Sequence, residues 1–405
     1  MHKGKMDTVL VLVFAVLSLA LWYTPTGFEN RMDANAIRCK GRVVSESSEG
    51  LQQHTLIKVG YQALEVEALD GPYKGQRFSV LNQLQGRMDI DKVFSTGDAA
   101  LLVITHKADG RVDTVVAQDH YRLGMQVWLL LGFGLLLLAF GGWTGAKALL
   151  SFVFTALVLW KIFVPLLLKG VPPVPLAFCV VAVLTAVIVF LVAGLTRLGV
   201  TAFLGAMAGV GASSLLAVWV ADALHLHGAV MPFAETMLYA GYAHLNITDI
   251  YVAAIFVAAS GAVMDLAMDV AASQYEVACS NPDISRSGAF LSGIRVGRAV
   301  VGTMTTTLLL AYSGGFITLL MAFMAQGVPL ANMFNMIYVS AEIVKTLIGS
   351  LGLVLVAPFT AVVGALLFAG AAKDKKTASL IGVPGAVIPV RANTGCSQAI
   401  FQRTE

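Results

Sequence analysis

The sequence predicts a polytopic α-helical membrane protein of about eight transmembrane helices, with one small β-rich, OB-like domain outside the bilayer. Three observations predict it. Apolar runs long enough to cross a bilayer recur along the chain, one polar stretch near the N-terminus alternates like short strands, and Lys and Arg gather at alternate ends of the apolar runs. Composition agrees: 57% of the 405 residues are hydrophobic and only 13% are charged, against about 25% charged in an average soluble domain. A water-soluble fold could not hide that much apolar surface. The net charge of +3 gives no ground for a nucleic-acid partner, so the lipid bilayer is the expected environment.

The spans fall at residues 7–23, 124–141, 146–168, 174–195, 200–221, 249–272, 302–325 and 343–370, each near the 17–25 residues that a bilayer requires. The first follows His2, Lys3 and Lys5 and resembles a signal sequence, but Leu21-Trp22-Tyr23-Thr24-Pro25 offers no small-x-small cleavage pattern. Residues 1–24 therefore read as an uncleaved anchor. With the N-terminus inside, Lys147, Arg197, Arg286, Arg295 and Arg298 collect on the cytoplasmic side, as do Lys373, Lys375 and Lys376. The opposite short loops are nearly bare, Lys169 apart, and both termini are expected inside. Lys161, within the third span, reads as a snorkelling side chain.

Residues 25–123 then lie outside. They read as strands over Ala36–Val44, His54–Val59, Leu64–Leu69, Arg77–Asn82, Ala99–Thr105 and Asp113–Gln118. Asp70-Gly71-Pro72, Gln85-Gly86-Arg87 and Asp109-Gly110 are the turn signals between them. Five or six short strands in this length make a small barrel. Residues 124–372 form a seven-helix membrane domain, and 373–405 form a polar, disordered cytoplasmic tail. Cys39, Cys179, Cys279 and Cys396 are widely spaced, contain no CxxC, and read as unpaired thiols. The loop 222–248 holds Asp222, His225, His227, Glu235 and His244, but in no established metal-ligand spacing. No cofactor or metal is expected.

The sixth span carries the chemistry. Asp265, Asp269, Ser273 and Glu276 are spaced by four, four and three, so they share one helical face. A carboxylate at membrane depth costs at least about 2.5 kcal/mol unless paired, neutralised or hydrated. Two such groups one turn apart would repel if both ionised, which is how a proton relay is tuned. The alternative is a helix lock, with the carboxylates paired to Arg295 or Arg298. An amphipathic cytoplasmic segment, Ser287–Gly302, leads into Thr303, Thr305, Thr306 and Thr307. These hydroxyls could line a hydrated path or simply bond back to their own helix. Glu342 and Lys345, three apart at the start of the last span, read as an intrahelical ion pair.

Three segments carry a resemblance to the YibE/F family of multi-spanning bacterial membrane proteins: Gly261-Ala-Val-Met-Asp265-Leu-Ala-Met-Asp269-Val-Ala-Ala-Ser273-Gln-Tyr-Glu276, Gly297-Arg298-Ala-Val-Val-Gly302-Thr-Met-Thr-Thr-Thr307-Leu-Leu-Leu-Ala-Tyr312 and Glu342-Ile-Val-Lys345-Thr-Leu-Ile-Gly349-Ser-Leu-Gly352. In the outer domain Gly71-Pro-Tyr-Lys74-Gly75-Gln-Arg-Phe-Ser-Val-Leu-Asn82 is similar to that family's β-domain, and the resemblance spans most of residues 35–370. Asp269 stands where the family pattern would have a small or polar residue. The family has no settled activity, but its membership implies the bacterial cytoplasmic membrane. The order of anchor, outer domain and acidic helix followed by a Thr-rich one is similar to the SecD/SecF branch of the RND superfamily. That likeness implies a proton- or ion-coupled transporter or translocation factor.

On this reading Asp265 is the protonation site, with Asp269, Ser273, Glu276, Arg298, Thr303, Thr306 and Thr307 as relay or ion-binding neighbours. The second reading is an envelope assembly or scaffold protein whose residues 25–123 bind a protein partner. An enzyme is not expected: Asp265 and Asp269 stand on one helix where an aspartyl protease needs two, and no HExxH or Gly-x-Ser-x-Gly is present.

Overall fold

In a computed structural model the described residues are 2–31, 35–88, 90–107 and 111–369. The expected tail from Lys373 and the Asp109-Gly110 turn lie outside them. The elements are α1 (His2–Tyr23), β1 (Ala36–Ser47), β2 (Leu51–His54), β3 (Ile57–Ala68), β4 (Arg77–Gln85), β5 (Ala99–His106), β6 (Val112–His120), α2 (Leu123–Val158), α3 (Val164–Leu168), α4 (Pro173–Ala193), α5 (Arg197–Ala223), α6 (Ala234–Tyr239), α7 (Ile247–Ser280), α8 (Arg286–Ser313), α9 (Ile317–Ala325), α10 (Leu330–Asn335) and α11 (Ile337–Phe368). Internal contacts divide them into two units: residues up to Gly194 with Glu235–Asn246, and Leu195–Ala234 with the chain from Ile247 onward.

The first unit contains the β-domain. Its strands alternate inward and outward, as period-two patterning requires: Ala100, Leu102 and Ile104 of β5 and Val66 and Ala68 of β3 are fully buried. The antiparallel sheet runs β2-β3-β1-β5-β6, with β4 on the other edge of β3, and β4 approaches β6 so that the sheet curls into a half-barrel. Phe94, from the irregular stretch between β4 and β5, fills the centre and is 0% exposed. It is held there by an amide, since Phe94 N–H donates to Gln62 Oε1 (3.0 Å) while Gln62 Nε2 donates to the Phe94 carbonyl (2.7 Å). Asp91 shapes the same stretch by accepting from the backbone N–H of Gln85 (3.0 Å) and Arg87 (2.7 Å). These bonds, led by that of Gln85, hold its carboxyl below the usual range.

The expected strand His54–Val59 is a hairpin instead. The chain turns at Thr55, whose φ of 59° is left-handed, and β3 runs unbroken from Ile57 to Ala68. β3 thus starts seven residues before Leu64, where the apolar Ile57, Val59 and Tyr61 stand on the exposed face opposite to that of Leu64, Val66 and Ala68, so the alternation changes phase. The other expected strands fall within β1, β4, β5 and β6 or overlap them.

The chain passes from the β-domain into α2 with almost no linker: Tyr121 N–H still donates to the Ala99 carbonyl (2.8 Å), and α2 begins at Leu123. The helical run Leu123–Leu168 is 46 residues long but is not straight. At Gly142 the backbone turns through φ 51°, ψ −125°, a conformation open to glycine. Phe133 then meets Phe152 with ring centroids 5.6 Å apart, where a straight helix would separate them by about 28 Å. A Cβ on Gly145 would lie 2.1 Å from the Leu137 carbonyl oxygen, so the glycine lets the returning helix close on the first. The two expected spans 124–141 and 146–168 are thus two arms of one hairpin.

Helix α1 packs on the second arm and on α4. Leu10, Val11, Phe14 and Leu21 join a buried cluster of Phe154, Val158, Val180, Leu184, Val187 and Leu191. Lys161 lies in a π-helical turn, Leu159–Phe163, and donates to the carbonyl of Thr24 (2.9 Å), just past the end of α1. It thereby caps the end of α1. Glu29 closes the next turn, accepting from Thr26 N–H (2.5 Å), the Thr26 hydroxyl (2.8 Å) and Gly27 N–H (2.9 Å). With its own backbone N–H the leading cause, these bonds lower its pKa to about 2.

The second unit is built on α5, α7, α8 and α11. The seam between α5 and α11 is lined with small residues at a four-residue period: Thr201, Gly205, Gly209, Ser213, Ala217 and Ala221 of α5 are all buried. A Cβ on Gly205 would sit 2.1 Å from Thr360 Oγ1, and one on Gly209 2.8 Å from Val356 Cβ. Backbones approach this closely only where side chains are absent, as in helices packed within lipid. Among the described residues six helical runs are long and apolar enough to cross a membrane, and the shorter Thr8–Tyr23 is also apolar.

Candidate functional site

α7 is 34 residues long, about 50 Å, and runs past the expected end of its span. Asp265 stands 18 residues after Ile247 and 15 before Ser280, close to the middle. One face of α7 is packed, with Ile255, Phe256, Leu266, Ala267, Val270 and Ala271 all fully buried. Asp265, Asp269 and Glu276 lie on the other face and are exposed, with Ser273 half-buried at its margin. The sequence spacing thus put the carboxylates on one face, and the structure turns that face away from the helix's own neighbours.

Neither Asp265 nor Asp269 has a hydrogen bond or ion pair among the described residues, and the lock with Arg295 or Arg298 is not formed. Both arginines are exposed. They belong to the first half of α8, which is one continuous helix from Arg286 to Ser313, so the expected cytoplasmic segment Ser287–Gly302 is not separate from the Thr-rich helix. Its Gly297 packs beside Val270 and its Gly293 beside Gln274, so antiparallel register brings Gly302 level with Asp265. The threonines follow at that depth, but each hydroxyl donates to its own helix: Thr303 to the Val300 carbonyl (3.0 Å), Thr305 to Val301 (2.9 Å), Thr306 to Gly302 (3.3 Å) and Thr307 to Thr303 (3.0 Å).

The residue that sequence reasoning missed is Gln274. It is 1% exposed, between α7, α8 and α11. Its Nε2 donates to the carbonyls of Ala289 (2.8 Å) and Ala361 (3.0 Å), and Gly293 and Gly364 leave the room it occupies. A lone amide in an apolar helix was the available signal, flanked though it is by the more conspicuous Ser273 and Glu276.

Glu342 and Lys345 pair as expected, with Nζ to Oε1 2.9 Å and to Oε2 2.6 Å. Lys345 Nζ also lies 5.2 Å from the Tyr312 ring centroid and 5.8 Å from that of Phe316, within cation–π range. Tyr251 of α7 is buried beside the pair and donates to the Ala341 carbonyl (2.7 Å). In the loop 222–248 His225, His227 and His244 are exposed. Among the described residues no group of three or more His, Cys, Asp or Glu is placed to hold a metal ion.

The acidic helix, the Thr-rich helix and the helix bearing the ion pair all fall inside one family match. The model of the YibE/F-like protein family covers residues 129–370. This chain belongs to the YibE/F-like family. The match takes in every residue of the acidic face and begins after the β-domain, so the likeness of residues 71–82 lies outside it. No curated protein and no solved structure matches this YibE/F-like chain.

Proposed function

We propose that this YibE/F-like protein is a proton- or ion-coupled transporter or translocation factor, with Asp265 as its protonation site. One observation carries the reading: two carboxylates one turn apart stand mid-helix with no ion pair among the described residues. Lipid cannot solvate that arrangement with both groups ionised, so protonation or a hydrated path must accompany it. Asp269 is the coupled partner, Arg298 lies level with it in the register of α8 against α7, and Ser273 and Glu276 extend the polar track toward the end of α7. The oxygens of Thr303, Thr306 and Thr307 donate to their own helix and keep lone pairs free to accept a proton or hold a cation.

The topology we infer has eight crossings: α1, the two arms of the α2 hairpin, α4, α5, α7, α8 with α9, and α11. Both termini face the cytoplasm and residues 25–123 face outward, by the distribution of Lys and Arg. An OB plan for the half-barrel belongs to the same proposal, supported by the order of its ladders and the approach of β4 to β6.

The test is proton or cation flux in liposomes holding the full-length protein. Asp265→Asn is expected to abolish flux while leaving expression and melting temperature unchanged, and full flux in that variant would reject the reading. A silent Asp265→Asn combined with loss of function on removing residues 30–120 would instead support the scaffold reading, in which the β-domain holds an envelope protein.

A further inference from the structure

The two ends of α8 are held by different chemistry. In its first half Ala289, Gly293 and Gly297 are buried at a four-residue period, and Gln274 reaches across to bond the Ala289 carbonyl. A Cβ on Gly297 would lie 2.6 Å from Ala357 Cβ, so this half lies close against α11. The contact is neutral and tightly fitted. Beyond Gly297 only Leu308 of α8 is buried. The most apolar window of the run Arg286–Ala325 is 6% buried, against 61% for α7.

What meets the far end of α8 is a charge. Lys345 of α11 sits against the rings of Tyr312, in the last turn of α8, and Phe316, in the short turn that follows it, and Glu342, one turn earlier, pairs with its ammonium. The side chains of Lys345 and Glu342 are 25% and 22% exposed, so the pair is largely withdrawn from solvent. Tyr251 and Tyr312 are the other titratable groups facing Glu342. The Tyr312 hydroxyl is buried and has no hydrogen-bond partner among the described residues. Its ring face, not its hydroxyl, therefore makes the contact.

We propose that α8 is a hinged lever: Gln274, Gly293 and Gly297 form its fulcrum, and the Lys345–Glu342 pair latches its far end through Tyr312 and Phe316. Without its carboxylate, the Lys345 ammonium is half-buried and unpaired, and it leaves the aromatic rings for water. Without the ammonium, Tyr312 keeps its place beside Gly349 of α11 but loses the charge that holds its ring. The lever therefore swings on a change of charge at one pair while its other end stays fixed. This stands whether or not Asp265 exchanges protons.

Hydrogen–deuterium exchange with mass spectrometry on the full-length protein in nanodiscs tests it. Lys345→Met and Glu342→Gln are each expected to raise amide exchange across residues 309–326 by about tenfold or more, leaving residues 286–300 at the wild-type rate. Tyr312→Phe should change nothing, and Phe316→Leu should raise exchange at 309–326 with both charges in place. Gln274→Leu should loosen 286–300 instead. Unchanged exchange at 309–326 in Lys345→Met and Glu342→Gln would overturn the proposal, as would an equal rise in both halves of α8. Should the charge variants fail to fold, Phe316→Leu decides alone, unchanged exchange at 309–326 counting against the latch.

Discussion

The β-domain and the α5–α11 seam reach close packing by opposite means. The half-barrel fills its centre with large side chains, Phe94 above all, and ties them with an amide network around Gln62. The seam removes side chains until helix backbones nearly touch, at Gly205, Gly209 and Gly352. Where water is the surrounding medium, burying apolar area drives assembly and size is rewarded. In lipid that drive is absent, since the tails outside are as apolar as the core, and contact distance does the work. One chain thus carries two packing rules, one in the half-barrel and one in the α5–α11 seam.

That contrast can be broken at several points. Gly205→Leu should have the largest effect, because even a first carbon collides with Thr360. We expect a loss of at least about 3 kcal/mol and no monodisperse protein in size-exclusion chromatography; a wild-type elution profile would show that the seam tolerates bulk. Phe94→Ala should cost the half-barrel about 3–5 kcal/mol, read as protease cutting between β4 and β5 while the helical fragments stay intact. Gln62→Leu leaves the Phe94 backbone groups unpaired and should cost about 1–3 kcal/mol by the same assay. Leu310→Ala, on the exposed side of α8, should move the melting temperature by no more than about 0.5 kcal/mol would.

A pH experiment sharpens the same comparison. Asp91 has a lowered folded-state pKa, so its contribution is present above the unfolded value of about 3.9 and fades as pH falls through the folded one. Protease cutting of the 86–98 stretch should therefore begin only below about pH 4, and Asp91→Asn should show it already at neutral pH. If both proteins are cut alike at pH 7, Asp91 does not hold the stretch. Cys39 gives the smallest effect: burial first and the charge of Asp70 second push its thiol up, so it should react with maleimide far more slowly than exposed Cys279.

Much of this was legible in the sequence because length and alternation are local signals. The spans beginning at 174 and 200 nearly coincide with α4 and α5, and β5 and β6 lie where the alternation puts them. The spacing of Asp265, Asp269 and Glu276 fixed a common face but not its direction. In a helix apolar all round, a core-facing and a lipid-facing side look alike, so the outward turn of that face was invisible. The seam was missed for a related reason: Gly, Ser, Thr and Ala are packing residues in lipid, but a hydrophobic pattern scores them as neutral. Phe94 was missed because it belongs to no strand, and only the curl of the sheet makes its position central.

The fold-back at Gly142 bears on how the chain is made. Its two arms meet through Phe133, Phe152 and Gly145, with no polar loop between them for a ribosome-bound translocation channel to pass across. On the eight-crossing topology proposed above, the two arms would enter the bilayer together as a preformed pin, the orientation of the first dictating that of the second.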